Sequence, residues 1–472
     1  MNRFTIAVLA LALVVGGFLR FTNLGGREMS ADEGASWAAA SAPTIGEVLR
    51  AQSHLNPGKA GLHDLALHLW MREFGKRLAA MRALSAAVGT LAILLVFGAA
   101  RELLAAGCEA KNGSESTIAD QRDEAAAIAA LVFAVNLITI KYAREVRMYP
   151  FVIASVLAQT ICFFRAMRRG GMIAYAGVAV FTAMALAAHL MAALAFTGEG
   201  LWLAYVIARN RFGFATAESR RALWMLIALG AGAAMLAPVA PAVLESAAHA
   251  AEIGAIGWIK RPAPWAPIAL FNKATGSIAF PVMAALAAWG VVRGWRRWRD
   301  GIIFALLWMW TPPIVLMIVS YAIRPAFVER YLLSCFVPFF ILMAIGIAEL
   351  RPQAARIGAI ALAVTLAIGH VVAWDRKPHD VQWSEGVRVA IVYMISGRTL
   401  AVAPGYAVNV VRYYLRMSTA PQLAHPVEAN GQDPADVVVI GDQGVAPQTA
   451  TALDREYPRL LANLRGVVVR GR

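Results

Sequence analysis

Asp32 and Glu33 are adjacent carboxylates in the stretch Met29 to Ser36, MSADEGAS. They follow an apolar segment, Ile6 to Phe18, and a short polar turn, Arg20 to Arg27. Adjacent acids at a membrane surface are costly to leave unpaired and partly desolvated. Taken alone, two such acids read as an ordinary solvated loop pair. Other ionisable groups fall on the same expected side of the membrane: Lys141 to Tyr149 (KYAREVRMY), His189, and Arg324 to Tyr331 (RPAFVERY). A carboxylate can take a proton from a hydroxyl, and a guanidinium can bind phosphate through two parallel hydrogen bonds. Snorkelling or structural pairing explains any one of these groups, and explains the set less well.

The elements that must position these groups are membrane helices. Of the 472 residues, 59% are hydrophobic and 15% charged, against about 25% charged in ordinary soluble domains. Mean hydropathy is +0.59. Candidate spans lie at 5–20, 79–100, 124–141, 149–166, 172–188, 190–208, 221–241, 277–293, 301–321, 331–349 and 355–374, about eleven segments near the ~20 residues that a crossing needs. No small-residue cleavage site follows the N-terminal segment, so it is read as the first transmembrane helix. The net charge of +15 does not point to nucleic acid, because the arginines cluster between spans. Arg165/Arg168/Arg169, Arg209/Arg211/Arg220/Arg221, Arg293/Arg296/Arg297/Arg299, Arg351/Arg356 and the 101–122 loop all fall on one side, which the positive-inside rule makes cytoplasmic. The Asn112 sequon falls in that side's loops and reads as a turn. Cys108, Cys162 and Cys335 form neither a disulfide framework nor a CxxC metal site.

The opposite side holds the first loop (21–78), the 242–276 loop and the tail. Thr44 to Arg50 reads as a short amphipathic helix with Thr44 near its start. In Gly61 to Phe74, Leu62, Leu65, Leu69 and Trp70 share a helical face, an interfacial helix with Trp70 as anchor. Between them, His54-Leu55-Asn56-Pro57-Gly58-Lys59 is a turn. In the tail, Trp383 to Ile395 and Ala407 to Leu415 read as helices, and Thr399 to Ala403, Ala435 to Gly441 and Gly466 to Arg470 as strands. That alternation predicts a small α/β unit with a mainly parallel sheet. The expected architecture is an α-helical polytopic membrane protein: a transmembrane domain over 1–374 and a soluble α/β domain over 375–472.

Leu24 to Ala40, LGGREMSADEGASWAAA, resembles the first-loop motif of the polytopic GT-C glycosyltransferases. The branch is the protein mannosyltransferase and aminoarabinose transferase type (glycosyltransferase family 39-like), with its many bacterial members. Four further stretches are similar in family order: His54-Leu55-Asn56-Pro57 with His68-Leu69-Trp70 and Phe74-Gly75; Tyr142 to Tyr149, with Glu145, Arg147 and Tyr149 in register; Ala188-His189; and Glu329-Arg330-Tyr331-Leu332-Leu333. The sequence departs from the family at Gly58-Lys59, where a second proline and an aromatic are usual, and at Leu190, where an aromatic is usual.

The resemblance, over about 20–350, implies a bacterial inner-membrane enzyme with its active face and tail in the periplasm. It implies a polyprenyl-phosphate sugar as donor and a glycan, lipid or protein as acceptor. Asp32 is then the expected general base, with Glu33 positioning it or binding acceptor. Arg330, Arg147, Lys59 and His189 are the expected donor-phosphate ligands. Glu145, Tyr149, His54, Asn56 and Tyr331 are the expected substrate contacts. Direct displacement by the acceptor inverts the sugar carbon, as in inverting glycosidases. No glycine-rich nucleotide loop opens a helix. Asp32, Glu33, Glu145 and His189 could assemble a divalent cation site, which their spacing alone does not define. The alternatives are a transporter or flippase, whose charges usually sit mid-span near broken helices, and a non-catalytic scaffold whose tail binds a partner.

Overall fold

The computed structural model describes the chain apart from residues 106–114, 211–215, 253–256, 379–380, 395–398, 424, 430–434, 442–444 and 446. Cys108, the Asn112 sequon, Arg211 and Ile395 lie outside the described residues. The chain forms two compact units. The first comprises Met1–Thr22, Pro57–His63 and Ala83–Arg376, and the second Asn23–Asn56, Asp64–Arg82 and Lys377–Arg472. Most of the first loop therefore belongs with the tail.

Among the described residues, seven helices are long and apolar enough to cross a membrane: Arg3–Phe21, Leu78–Ala105, Tyr149–Arg169, Leu190–Arg209, Ala217–Ala248, Phe280–Ala322 and Gln353–Asp375. An eighth crossing is a pair, Ile118–Val135 and Leu137–Ala143, bent by 59°. Met172–Ala188 and Leu333–Ala348 are apolar but shorter. The 43-residue helix Phe280–Ala322 contains two of the expected spans, which meet at Trp298 in a non-helical conformation (φ −127°, ψ 37°). All eleven expected segments thus fall on helices, although fewer qualify by length as separate crossings.

Ion pairs tie together the arginine-rich loops of the first unit. Arg101 pairs with Asp123 at 2.8 Å, Arg297 with Glu349 at 2.8 Å, and Arg356 with Glu124 at 2.8 Å. Arg165 pairs with Glu102 at 2.8 Å, and Arg209 with Asp300 at 3.0 Å. These contacts gather the expected cytoplasmic loops at one end of the bundle, as the arginine pattern requires.

The bend at Asn136 has an identifiable cause. A broken helix frees carbonyls that water cannot reach inside a bilayer. The buried guanidinium of Arg20, at the end of the first helix, donates to Ala134 O (2.7 Å), Phe133 O (3.3 Å), Gly16 O (3.0 Å) and Thr139 Oγ1 (3.1 Å). Asn136 caps the next helix by accepting from Ile138 N at 3.0 Å. Arg144 then donates to Leu19 O at 2.7 Å and pairs with Asp375 at 2.8 Å. The bend and these anchors set the position of the largely buried turn from Tyr142 to Tyr149.

In the second unit the strands are β1 (Leu400–Ala403), β2 (Val427–Glu428), β3 (Val437–Gly441), β4 (Arg459–Leu464) and β5 (Val467–Gly471), in the order β2-β1-β3-β5-β4. β1 pairs parallel with β2 and β3, while β5 pairs antiparallel with β3 and β4. The sheet is mixed rather than mainly parallel. β4 carries Arg459, Asn463 and exposed Leu460 and has no fully buried residue, so it lacks the buried-strand pattern, and Gly466 (φ +72°) turns it back into β5. All five residues of β3 are buried, as a central strand requires.

Replacing Arg20 with Met should destabilise the protein by about 3 kcal/mol, since it strips partners from buried carbonyls. A fall in the thermal midpoint in detergent checks this, and a midpoint equal to wild type contradicts it.

Candidate active site

The acid pair sits at the start of the helix Ala31–Ala40, for a reason written in four residues. Ser30 caps the helix and Glu33 reaches back to the Ser30 N–H at 2.9 Å, a complete capping box. Glu33 is also buried and bound in a fork by Arg82, with Nε to Oε1 at 2.8 Å and Nη2 to Oε2 at 2.9 Å. The remaining Arg82 donors go to the carbonyls of Leu24 (2.8 Å), Arg27 (3.0 Å) and Glu28 (2.9 Å). These five bonds use all five N–H groups of a guanidinium. Breaking such a buried pair by removing one partner costs about 3–5 kcal/mol. Glu33 is thereby committed to holding the helix, and Asp32 is the half-buried member of the pair.

The tail fixes the other face of this helix. A Cβ on Gly34 would stand 2.9 Å from Val410 Cγ2 and 3.1 Å from its backbone N, so only glycine lets Val408–Met417 approach so closely. Trp37 packs edge-on against Tyr413 at 5.2 Å, and Arg416 lies 5.7 Å over the Trp37 ring. Met29 N donates to the Tyr414 hydroxyl at 2.8 Å, and Ser384 bonds Glu28. In the same unit, Thr44 forms its own capping box with Glu47 at the start of Ile45–Leu55. Exposed His54 lies in that helix's last turn, and buried Asn56 is its C-cap.

In Leu62–Phe74 the buried positions are His63, Asp64, Leu67, His68 and Met71. Leu69 and Phe74 stay exposed. Of the apolar face expected at the interface only Leu69 is exposed; Leu62, Leu65 and Trp70 are half-buried, and Leu62 packs against the core of the first unit. Trp70 stacks on Phe74 at 4.0 Å and donates to Ala80 O at 2.8 Å.

The cations collect in the first unit. Gly58, at φ +90°, lies against the His189 ring, where an added Cβ would be 3.5 Å from Cε1. The chain on either side clamps the His189 turn: Leu190 N donates to Gly58 O at 2.8 Å, and Ala60 N to Ala187 O at 3.0 Å. This geometry accounts for the glycine where the family has a proline, and it seats the buried Lys59 beside His189. Arg147 is buried, with its carbonyl held by Ser85 Oγ at 3.1 Å. Tyr331 packs 5.3 Å from the His189 ring. His189 Nδ1 accepts from Met191 N at 3.1 Å, which leaves Nε2 to carry the proton. Burial first, then the charges of Arg147, Lys59 and Arg330, push the imidazole down from its ordinary value to about 3. It is neutral at physiological pH.

Tyr149 is buried against Tyr142 at 4.8 Å, and Glu145 is half-buried in the turn before Arg147. Glu329, beside Arg330, pairs with Lys273 at 2.7 Å and accepts from the Tyr142 hydroxyl at 3.5 Å. Three positive charges around His189 do not suit a divalent cation. Among the described residues no three His, Cys, Asp or Glu side chains group closely enough to hold one.

The structure groups Lys59, Arg147, His189, Arg330 and Tyr331 in the first unit. Asp32, Glu33, His54 and Asn56 belong to the second. Sequence reasoning missed Arg82 and Arg20. The Ser30-x-x-Glu33 spacing signals a capping box and could have revealed the structural duty of Glu33.

No protein-family model matches the chain, and no curated protein matches it in sequence. Among solved structures it is similar to ArnT from Cupriavidus metallidurans in the apo state. The TM-score is 0.61 at 14% identity, covering 98% of this chain and 97% of that one. It is also similar to the same ArnT bound to undecaprenyl phosphate, with a TM-score of 0.58, 14% identity and the same coverage. At this identity the likeness shows the fold alone, a polytopic helical membrane architecture with a small C-terminal sheet domain.

The depressed His189 value has a consequence for stability. In the unfolded chain the ring takes up a proton near pH 6.5, whereas the native site refuses it down to about pH 3. Its contribution is therefore complete above 6.5 and is lost as pH falls from 6.5 toward 3. The thermal midpoint should drop across that window, and His189→Gln should flatten the drop. An identical pH profile in the variant contradicts a neutral buried His189.

Proposed function

We propose that the protein is a membrane glycosyltransferase that moves a sugar from a polyprenyl-phosphate donor to a hydroxyl of an extracytoplasmic acceptor, with inversion. The observation that supports this most is the grouping of Lys59, Arg147 and Arg330 around a neutral His189. The fold shared with ArnT, one structure of which binds undecaprenyl phosphate, supports it further.

In the proposed reaction the acceptor hydroxyl gives its proton to the Asp32 carboxylate. Its oxygen attacks the anomeric carbon, the bond from that carbon to the phosphate oxygen breaks, and the electron pair leaves on the polyprenyl phosphate. The phosphodiester starts with one negative charge and ends as a monoester with a second. Charge therefore grows on the phosphate in the transition state, where cations favour it most. Arg330, Arg147 and Lys59 take that role, and neutral His189 offers a donor through Nε2–H. Glu33 holds the helix that presents Asp32. Glu145 orients Arg147 or contacts the sugar, and Tyr149, Tyr331, His54 and Asn56 contact substrate. We place the protein in the bacterial inner membrane, with the active face and tail on the periplasmic side. The ion-paired arginine end is then cytoplasmic by the positive-inside rule.

The test is transfer by purified protein from a polyprenyl-phosphate sugar. Asp32→Asn should lower the rate by about 10²–10⁴-fold, with the thermal midpoint unchanged. A variant that transfers at the wild-type rate overturns Asp32 as base.

A further inference from the structure

The arginines near the kink of Phe280–Ala322 divide by where they face. Gly290, Gly294 and Trp298 are buried, and at this spacing they share one side of the helix. A Cβ on Gly290 would collide with Leu342 O, and one on Gly294 would stand 2.8 Å from Ile345 Cγ2. These close approaches to Leu333–Ala348 fix the rotation of the helix about its axis. Arg297 turns to the ion-paired end of the bundle and takes Glu349 at 2.8 Å. Trp289, Val292, Arg293, Trp295, Arg296 and Arg299 are exposed. At about 100° per residue, Val292 and Arg296 stand opposite the glycines, with Trp289 and Arg293 on one flank and Trp295 on the other. Arg293 lies 5.4 Å over the Trp289 ring, and Arg299 lies 5.9 Å over the Trp295 ring. Asp300, the residue after Arg299, is taken by Arg209 at 3.0 Å.

A snorkelling arginine extends its stem to bring its charge to water. Arg293 and Arg299 instead lie beside indole rings, an attraction that holds each cation near the ring. Tryptophan settles at the headgroup level of a bilayer, so two guanidinium groups are held at that level, and Arg296 lies on the arc between the two flanks. A guanidinium is weakly hydrated and binds phosphate oxygens through paired hydrogen bonds. Exposed Val282, Ala285, Trp289 and Val292 continue the patch along the span as an apolar stripe. An occupant that matches both parts is anionic at one end and apolar along its length.

We propose that Arg293, Arg296 and Arg299 hold the phosphate of an anionic phospholipid in the leaflet at this end of the bundle, with its acyl chains along Val282, Ala285 and Val292. The site shares no residue with the groups around His189 and does not depend on the transfer reaction.

The test counts retained lipid. Full-length protein is placed in phosphatidylcholine nanodiscs containing phosphatidylglycerol, released into mild detergent and weighed by native mass spectrometry. Wild type is compared with the patch variant Arg293→Gln/Arg296→Gln/Arg299→Gln. A control, Arg169→Gln/Arg220→Gln/Arg351→Gln, removes the same charge from other exposed loop arginines. Wild type should retain phosphatidylglycerol in preference to phosphatidylcholine, and the control should match it. The patch variant should lose the bound lipid about tenfold or more. If that variant does not fold, Arg296→Gln alone should lose it about fivefold. A wild type with no preference overturns the proposal, as does a patch variant that keeps the lipid. An equal loss in both triple variants also overturns it, since that marks bulk charge rather than a site. So does a dimer that the patch variant alone abolishes, which would make the occupant a second copy of the chain.

Discussion

The fork between Arg82 and Glu33 is the contact on which the presentation of Asp32 depends. It is a buried ion pair in which every guanidinium N–H is spent, two on the carboxylate and three on the carbonyls of the preceding turn. Desolvating two charges is expensive and is offset only by such complete pairing. The contact fixes the turn from Leu24 to Glu28 and the first turn of the Ala31–Ala40 helix together. Adjacent acids then have different duties. One is locked by its neighbours, and the other is left half-buried on a helix whose far face is braced by Val410 and Tyr413. The tail thus supports the acid-bearing loop within a single compact unit.

The cationic half of the proposed site depends on a different device. A helix broken inside the bundle would expose carbonyls, and Arg20 supplies the missing donors. The bend it permits leads into the turn between two helices that holds Tyr142 and Arg147, both buried. The turn through Gly58 and Lys59 clamps the His189 loop by two backbone bonds. A neutral histidine among arginines and a lysine leaves the positive potential to the permanent charges. That suits the leaving group of the proposed reaction, whose negative charge grows as its bond to the sugar breaks.

Much of this was legible in the sequence. Apolar segments of crossing length marked the helices, and arginine clusters marked one end of the bundle, where ion pairs now join them. Thr44 was legible as a cap because its motif is local. The acid pair and Arg330 stood out because charged residues beside apolar spans are rare. Arg82 and Arg20 were not legible. An arginine at the edge of a span carries the same signal whether it faces water or caps buried carbonyls, and only tertiary structure distinguishes the two. β4 was hidden because an edge strand with no fully buried residue lacks the buried pattern of β3. The grouping of the first loop with the tail was hidden for the same reason: Gly34 and Val410 are far apart in sequence, and a close backbone approach leaves no periodic trace.

The central claim is a single displacement in which a hydroxyl, activated by Asp32, expels a polyprenyl phosphate. The most direct test is the anomeric configuration of the product, read by NMR after transfer from a donor of defined configuration. Inversion is the expected result. Retention would contradict it, because it requires a covalent intermediate or a second displacement for which Asp32 alone does not provide.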